Sequence, residues 1–96
     1  MTTKQRAYLK SLAMNLDSVV QVGKNDLTPE ITKAAEEALA ARELIKVSIL
    51  KSCTTDPKAI AEMISSRTHS EVVQIIGKKI VLYREGKDEK KKIVLP

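Results

Sequence analysis

The stretch Val22-Gly23-Lys24-Asn25-Asp26-Leu27-Thr28-Pro29 holds the residue types best suited to chemistry with an anion. Gly23 permits a tight turn and the close approach of another backbone. Asn25 and Asp26 tolerate turn and left-handed conformations. Thr28 followed by Pro29 is a helix start: a capping hydroxyl, then a proline whose missing N–H is harmless at the first helical position. A helix opening there points free N–H groups and its positive dipole end at the loop, a combination that attracts phosphate. Lys24 adds a mobile positive charge. The same residues, taken alone, also describe an ordinary strand-to-helix turn, which is the commoner use of a short Gly-containing loop.

A second basic feature is Ile76-Gly77-Lys78-Lys79-Ile80-Val81-Leu82-Tyr83-Arg84. Lys78 and Lys79 fall on a hairpin tip and Arg84 ends the returning strand. They can contact phosphate, or they can simply solubilise a turn. Lys46 is a third candidate, on a strand where Ile45, Val47 and Ile49 alternate away from it. A solvent-facing strand lysine is the plainer alternative.

Other chemistries find little support. Cys53 is the only cysteine, so neither an intramolecular disulfide nor a cysteine-based zinc site can form. It reads as a small, partly buried residue after a strand. His69 is the only histidine. With Glu71 nearby it resembles a base with an orienter, but it falls in a loop and reads as a surface residue. There is no Walker A motif, no zinc-ligand spacing and no pair of buried carboxylates, so no catalytic activity and no cofactor are expected. The aromatics are Tyr8 and Tyr83 alone, with no Phe and no Trp. That argues against readers that stack bases on sheet aromatics, such as RRM and most OB modules. Tyr83 itself reads as a half-buried strand residue.

The whole chain must position these residues. Its 96 residues allow one domain over 1–96 and no deep cleft between domains. Lys and Arg number 17 against 12 Asp and Glu, a net charge of +5, which favours anionic partners, nucleic acid first. No apolar run approaches the ~20 residues of a membrane span, and Met1-Thr2-Thr3-Lys4-Gln5 opens no secretory signal, so a cytoplasmic protein is expected.

Thr2 and Thr3 are N-cap types before a helix with Tyr8, Leu9, Leu12, Ala13 and Leu16 on one face and Lys4, Arg6 and Lys10 largely off it. Ser18 to Val22 reads as a strand. The helix from Pro29 buries a stripe of Ile31, Ala34, Ala35, Ala38 and Leu39. A second strand spans Glu43 to Lys51, and Asp56-Pro57 starts a third helix with Ile60, Ala61, Met63 and Ile64 inward. Val72–Ile76 and Ile80–Arg84 form a hairpin. The charged run 86–92 reads as a mobile basic loop, and Ile93 to Leu95 as a short returning strand or edge. The order is helix, strand, helix, strand, helix, strand, strand: an α/β (α+β) chain. Each strand-helix-strand unit predicts a parallel pair. The first and third strands, apolar almost throughout, predict cover on both faces.

Three stretches together are more specific than any one alone. They are Val20-Gln21-Val22-Gly23-Lys24-Asn25-Asp26-Leu27-Thr28, Glu43-Leu44-Ile45-Lys46-Val47 and Val73-Gln74-Ile75-Ile76-Gly77-Lys78-Lys79-Ile80-Val81-Leu82-Tyr83-Arg84. With the first-helix pattern Lys4-Gln5-Arg6-Ala7-Tyr8-Leu9-Lys10-Ser11-Leu12-Ala13, they cover nearly the whole chain. On these residues the chain resembles the small bacterial YhbY-like proteins, the stand-alone form of the CRM domain (chloroplast RNA splicing and ribosome maturation). The resemblance implies a four-stranded mixed sheet packed by helices, similar to the C-terminal domain of bacterial translation initiation factor three. It implies RNA binding through a GxxG loop like that of KH domains, and association with precursors of the large ribosomal subunit.

The family loop usually ends in glycine, whereas Asp26 stands fourth here, where a carboxylate repels phosphate and a Cβ limits approach. Gly23, Lys24 and Asn25 are therefore expected to make backbone contact, and Asp26 to lead into the helix. The expected RNA-binding set is Gly23, Lys24, Asn25, Asp26, Lys46, Lys78, Lys79 and Arg84, in a monomer with no membrane or small-molecule partner. The alternative is a protein-interaction module that docks on ribosomal proteins or assembly factors through a helix face, with Tyr8 and Leu12 as candidates.

Overall fold

A computed structural model describes residues 1–87 and 93–96. Helix α1 (Thr3–Ala13) opens on a reciprocal cap. Thr2 Oγ1 accepts from the Gln5 amide at 3.0 Å, and Gln5 Oε1 accepts from the Thr2 amide at 3.0 Å. This satisfies two N-terminal donors at once. Strand β1 (Ser18–Val22) follows, then α2 (Pro29–Arg42), β2 (Leu44–Ile49), α3 (Pro57–Thr68), β3 (Glu71–Ile76) and β4 (Lys79–Tyr83). Both expected cap-plus-proline starts form: Thr28 Oγ1 accepts from the Ile31 amide at 3.2 Å, and Asp56 Oδ1 from the Lys58 amide at 3.1 Å.

The sheet order is β1-β2-β4-β3. The β1–β2 crossover gives the expected parallel pair. The β2–β3 crossover does not. β4 lies between them, antiparallel to both, so β3 runs in the direction of β2 one strand removed. Two facts explain the insertion. Gly77 adopts φ +54, and the two-residue turn Gly77-Lys78 folds β4 directly back on β3. Ile80, Val81, Leu82 and Tyr83 are all buried, which suits β4 to the interior of the sheet.

The expectation that the first and third strands are covered on both faces is likewise overturned. β1 and β3 are the edges, with Val19, Ile75 and Ile76 exposed, while β2 and β4 are the covered pair. Apolar content alone does not separate an edge strand from a central one.

The sheet lies between two unequal layers. On one face α2 and α3 enclose the larger core, with Val20, Val22, Ile45, Val47, Ile49, Ile80 and Leu82 from the strands meeting Ala35, Leu39, Ile60 and Ile64. Of the predicted stripes, Ala34 is exposed, and Ile31, Ala38 and Met63 are partly buried. On the other face α1 brings Leu9 and Ala13 onto Leu44, Val73, Val81 and Tyr83. Arg6, expected off the packed side, donates to the carbonyls of Val72 at 2.7 Å and Val73 at 2.9 Å. The register of β3 shifts there, so one guanidinium covers part of an irregular edge.

The helix end of α2 is tied down by Glu43. It takes φ 64 and gives its amide to the Leu39 carbonyl, so β2 starts at Leu44 rather than at Glu43. Its side chain is fully buried and accepts from the backbone amides of Gly86 and Ile93, the latter at 2.7 Å. The tail is held as a packed segment, not the expected strand: Ile93 and Leu95 lie against the α1 cluster, and the Pro96 carbonyl accepts from Gln5. Of the mobile loop expected over 86–92, residues 88–92 lie outside the described residues.

Candidate functional site

The parallel β1–β2 pair decides where the candidate loop sits. Both strands end at the same edge of the sheet, and each feeds its helix from there. The Val22 carbonyl accepts from Leu50 at 2.8 Å, and the Lys78 carbonyl accepts from Ile49 at 2.7 Å. Three connections therefore meet at one end of the sheet: Gly23 to Thr28, Leu50 to Asp56, and Gly77-Lys78. The N-termini of α2 and α3 open at the same end. Their leading amides lack intrahelical partners beyond those the caps satisfy, and they give this end a positive field.

Within the loop, the Asp26 amide donates to the Gly23 carbonyl at 3.0 Å, which closes a turn with Lys24 and Asn25 at its exposed corners. What comes close to Gly23 is side chains of the chain itself. A Cβ at that position would stand 3.3 Å from Ser52 Oγ and 3.4 Å from Leu50 Cδ1. Asp26 takes φ 55, the conformation that favours glycine, which accounts physically for a glycine preference at this fourth position.

The Asp26 carboxylate turns inward, where Oδ1 accepts from Cys53 Sγ at 3.2 Å. Hydrogen bonds from the side chains of Cys53 and then Thr55 hold its pKa below the ordinary value of 3.8. Desolvation, and then the bond to Asp26, push the Cys53 thiol above its ordinary 9.0, so it remains a neutral thiol at neutral pH. The 50–55 loop is thus the platform on which the Gly23–Asp26 turn rests. The sequence marks Leu50 and Lys51 as the end of a strand and Cys53 as a small, partly buried residue after it, and the partner of Cys53, Asp26, is 27 positions away.

The remaining candidates divide. Lys24 and Lys78 are exposed at this end and, among the described residues, their side chains make no hydrogen bond or ion pair. Lys79 lies just behind, with Nζ donating to Ser48 Oγ at 2.6 Å. Lys46 is half-buried on β2, nearer the middle of the sheet. Arg84 is not brought to this end. It follows β4 at the opposite end of the sheet, where its amide donates to the Glu43 carbonyl and its guanidinium to Glu36 and, at 2.9 Å, to the Thr68 carbonyl. His69 is exposed and closes α3 in a left-handed conformation, φ 54. Among the described residues no cluster of His, Cys, Asp and Glu could hold a metal ion, and no helix is long and apolar enough to cross a membrane. What the assembled end offers chemically is an anion site of mobile ammonium groups, turn amides and helix N-termini.

Comparison with known proteins places the chain among relatives of known name. Residues 1–84 match the family model of the CRS1 / YhbY (CRM) domain. A Bacillus subtilis (strain 168) protein named "Probable RNA-binding protein YqeI" is 46% identical over 96 residues, 100% of this chain and 99% of that one. A Haemophilus influenzae protein named "RNA-binding protein" is 40% identical over 96 residues, 100% of this chain and 95% of that one. The solution structure of SAV1595 from Staphylococcus aureus superposes with a TM-score of 0.83 at 46% identity, over 100% of this chain and 99% of that one.

Proposed function

The chain belongs to the CRS1 / YhbY (CRM) domain family, and from that premise we propose that it is a non-enzymatic RNA-binding protein that grips folded RNA by its phosphate backbone at the loop end of the sheet. One observation carries this reading: Lys24 and Lys78 lie at the same end of the sheet, without a side-chain hydrogen bond or ion pair among the described residues, where two helix N-termini open. A cation that serves the fold is normally bonded within it, whereas these leave their charge to solvent or to an anion. Gly23, Lys24 and Asn25 meet the backbone through turn amides and charge. Lys78 and Lys79 hold a neighbouring phosphate, and Asp26 leads into α2 with its carboxylate turned to Cys53. The relatives' names support RNA as the partner.

Within that reading the protein acts as a monomeric single domain in the cytoplasm, on precursors of the large ribosomal subunit. The test is a titration of a ribosomal RNA fragment at increasing salt. Each phosphate held by a lysine lowers the slope of log K against log salt by about 0.7–0.9. A steep negative slope is expected, together with co-migration with large-subunit precursors on a sucrose gradient. Flat salt dependence, or no binding at low salt, overturns RNA binding. Migration away from all ribosomal particles overturns the assembly role alone.

A further inference from the structure

Helix α1 and the tail cover only half of their face of the sheet. They take Leu44, Val73, Val81 and Tyr83, which lie toward the Glu43 end. Along β2, Lys46 and Ser48 follow Leu44 at intervals of two and so share its face. Lys79 joins them through its bond to Ser48 Oγ, and the Ser18 hydroxyl accepts from that same oxygen. Gln21 stands in register with Ser48, Gln74 with Val81 and Ile76 with Lys79. Gln21 and Ile76 are exposed, and Gln74 is partly so.

The half that α1 and the tail leave is therefore a four-stranded platform, about 14 Å across at three strand spacings. Its cations are Lys46 and Lys79, and its other polar groups are hydroxyls and primary amides. Among the described residues, none of these strand positions carries a carboxylate or an aromatic ring. It is continuous with the loop end, because Lys79 adjoins Lys78 and Ser48 adjoins Ile49, which is bonded to the Lys78 carbonyl.

These properties select among anionic partners. Without aromatics the platform offers no stacking for unpaired bases. At about 14 Å it is too broad for the ~6 Å minor groove of B-DNA. The minor groove of an A-form RNA helix is wide and shallow and displays 2′-hydroxyls, which suit short hydroxyl and amide groups between two ammonium groups. We propose that this half-face docks the minor groove of an RNA helix. Gln21, Gln74 and Ser18 meet ribose 2′-hydroxyls and Lys46 and Lys79 meet flanking phosphates, while the loop end holds the adjoining backbone. The proposal rests on the RNA-binding reading above and adds the class of RNA and the basis for preferring it to DNA. Ser48, whose hydroxyl fixes both Lys79 and Ser18, is a positioning residue.

The test compares three probes by fluorescence anisotropy at one salt concentration: a blunt RNA duplex, the DNA duplex of the same sequence, and one RNA strand alone. Two or three neutral hydrogen bonds, each about threefold to tenfold, predict that the wild type prefers the RNA duplex to the DNA duplex by about tenfold or more. Gln21→Ala/Gln74→Ala should remove most of that preference by weakening the RNA duplex alone, whereas Lys24→Glu should weaken both duplexes alike. Gln21→Ala by itself serves as the second variant, since Gln21 is exposed on an edge strand; circular dichroism melts confirm the fold. Equal wild-type binding to all three probes, or a preference that survives the glutamine substitutions, overturns the docking face and leaves the loop-end reading intact. Absence of binding to every probe at low salt overturns both.

Discussion

The two ends of the sheet use basic residues in opposite ways. At the Glu43 end, the Arg84 guanidinium donates to Glu36 and to the last carbonyl of α3 at Thr68, and its amide donates to the Glu43 carbonyl. Glu43, fully buried, holds Gly86 and Ile93. Every one of these groups is occupied in closing the fold. At the other end, Lys24 and Lys78 project from turns whose backbones are fixed, while their own ammonium groups make no hydrogen bond or ion pair among the described residues. Charge alone does not distinguish the ends. The difference is whether the surrounding backbone supplies acceptors. Helix C-termini, as at Thr68, present free carbonyls to a cation; helix N-termini, as at Pro29 and Pro57, present amides to an anion.

The comparison breaks most readily at Glu43. Glu43→Ala leaves two part-buried backbone amides without their acceptor, and urea unfolding should show a loss of about 2 kcal/mol. The RNA affinity of the folded fraction should not change. A loss under about 0.5 kcal/mol, the scale of an ordinary surface substitution, would mean that the tail is not held as described.

Lys24→Glu/Lys78→Glu tests the open end. Affinity for RNA should fall by about 30-fold or more at low salt, with the salt slope reduced by about 1.4–1.8, since two phosphate contacts are lost. The urea midpoint should stay in place, because neither side chain bonds within the described fold. Destabilisation with unchanged affinity would reverse the assignment of the two ends.

Arg84→Ala sharpens the contrast, because Arg84 was expected from the sequence to contact RNA. Loss of its partly exposed pairing with Glu36 and its bond to Thr68 should cost about 1–2 kcal/mol in unfolding measurements and leave the salt slope unaltered. A slope reduced by about one would return Arg84 to the interface.

Asp26→Gly should have smaller effects still. It relieves a φ of 55 and removes a carboxylate from the loop, so RNA affinity should rise about two- to threefold. The pH dependence gives an independent check. The Asp26 pKa is lowered in the fold, so its contribution to stability is present above the ordinary value of 3.8 and is lost as pH falls through the folded value. The stability difference between wild type and Asp26→Asn should therefore shrink in acid-titrated melts below about pH 4 and be constant near neutrality.

Much of the architecture was legible because its signals are local. Thr28-Pro29 and Asp56-Pro57 start helices by chemistry contained in adjacent residues, and Gly77-Lys78 makes a hairpin turn for the same reason. The strand order was less legible. Placing β4 between β2 and β3 depends on which apolar strand finds cover on both faces, and that is settled by helices distant in the sequence.

The site divides in the same way. Gly23, Lys24, Asn25 and Lys78 could be picked out by residue type and spacing, since turn chemistry and charge are properties of short segments. Their meeting at one end with Leu50, Ser52 and Cys53 follows from the parallel β1–β2 pair, which brings two strand ends to one edge. The sequence by itself determined the elements, the basic character and the turns. The tertiary structure decided which cations were consumed by the fold, as Arg84 was, and which were left over, as Lys24 and Lys78 were. A side chain's partners are set by the elements packed against it, and Glu36 and Thr68 lie 48 and 16 residues from the arginine they hold.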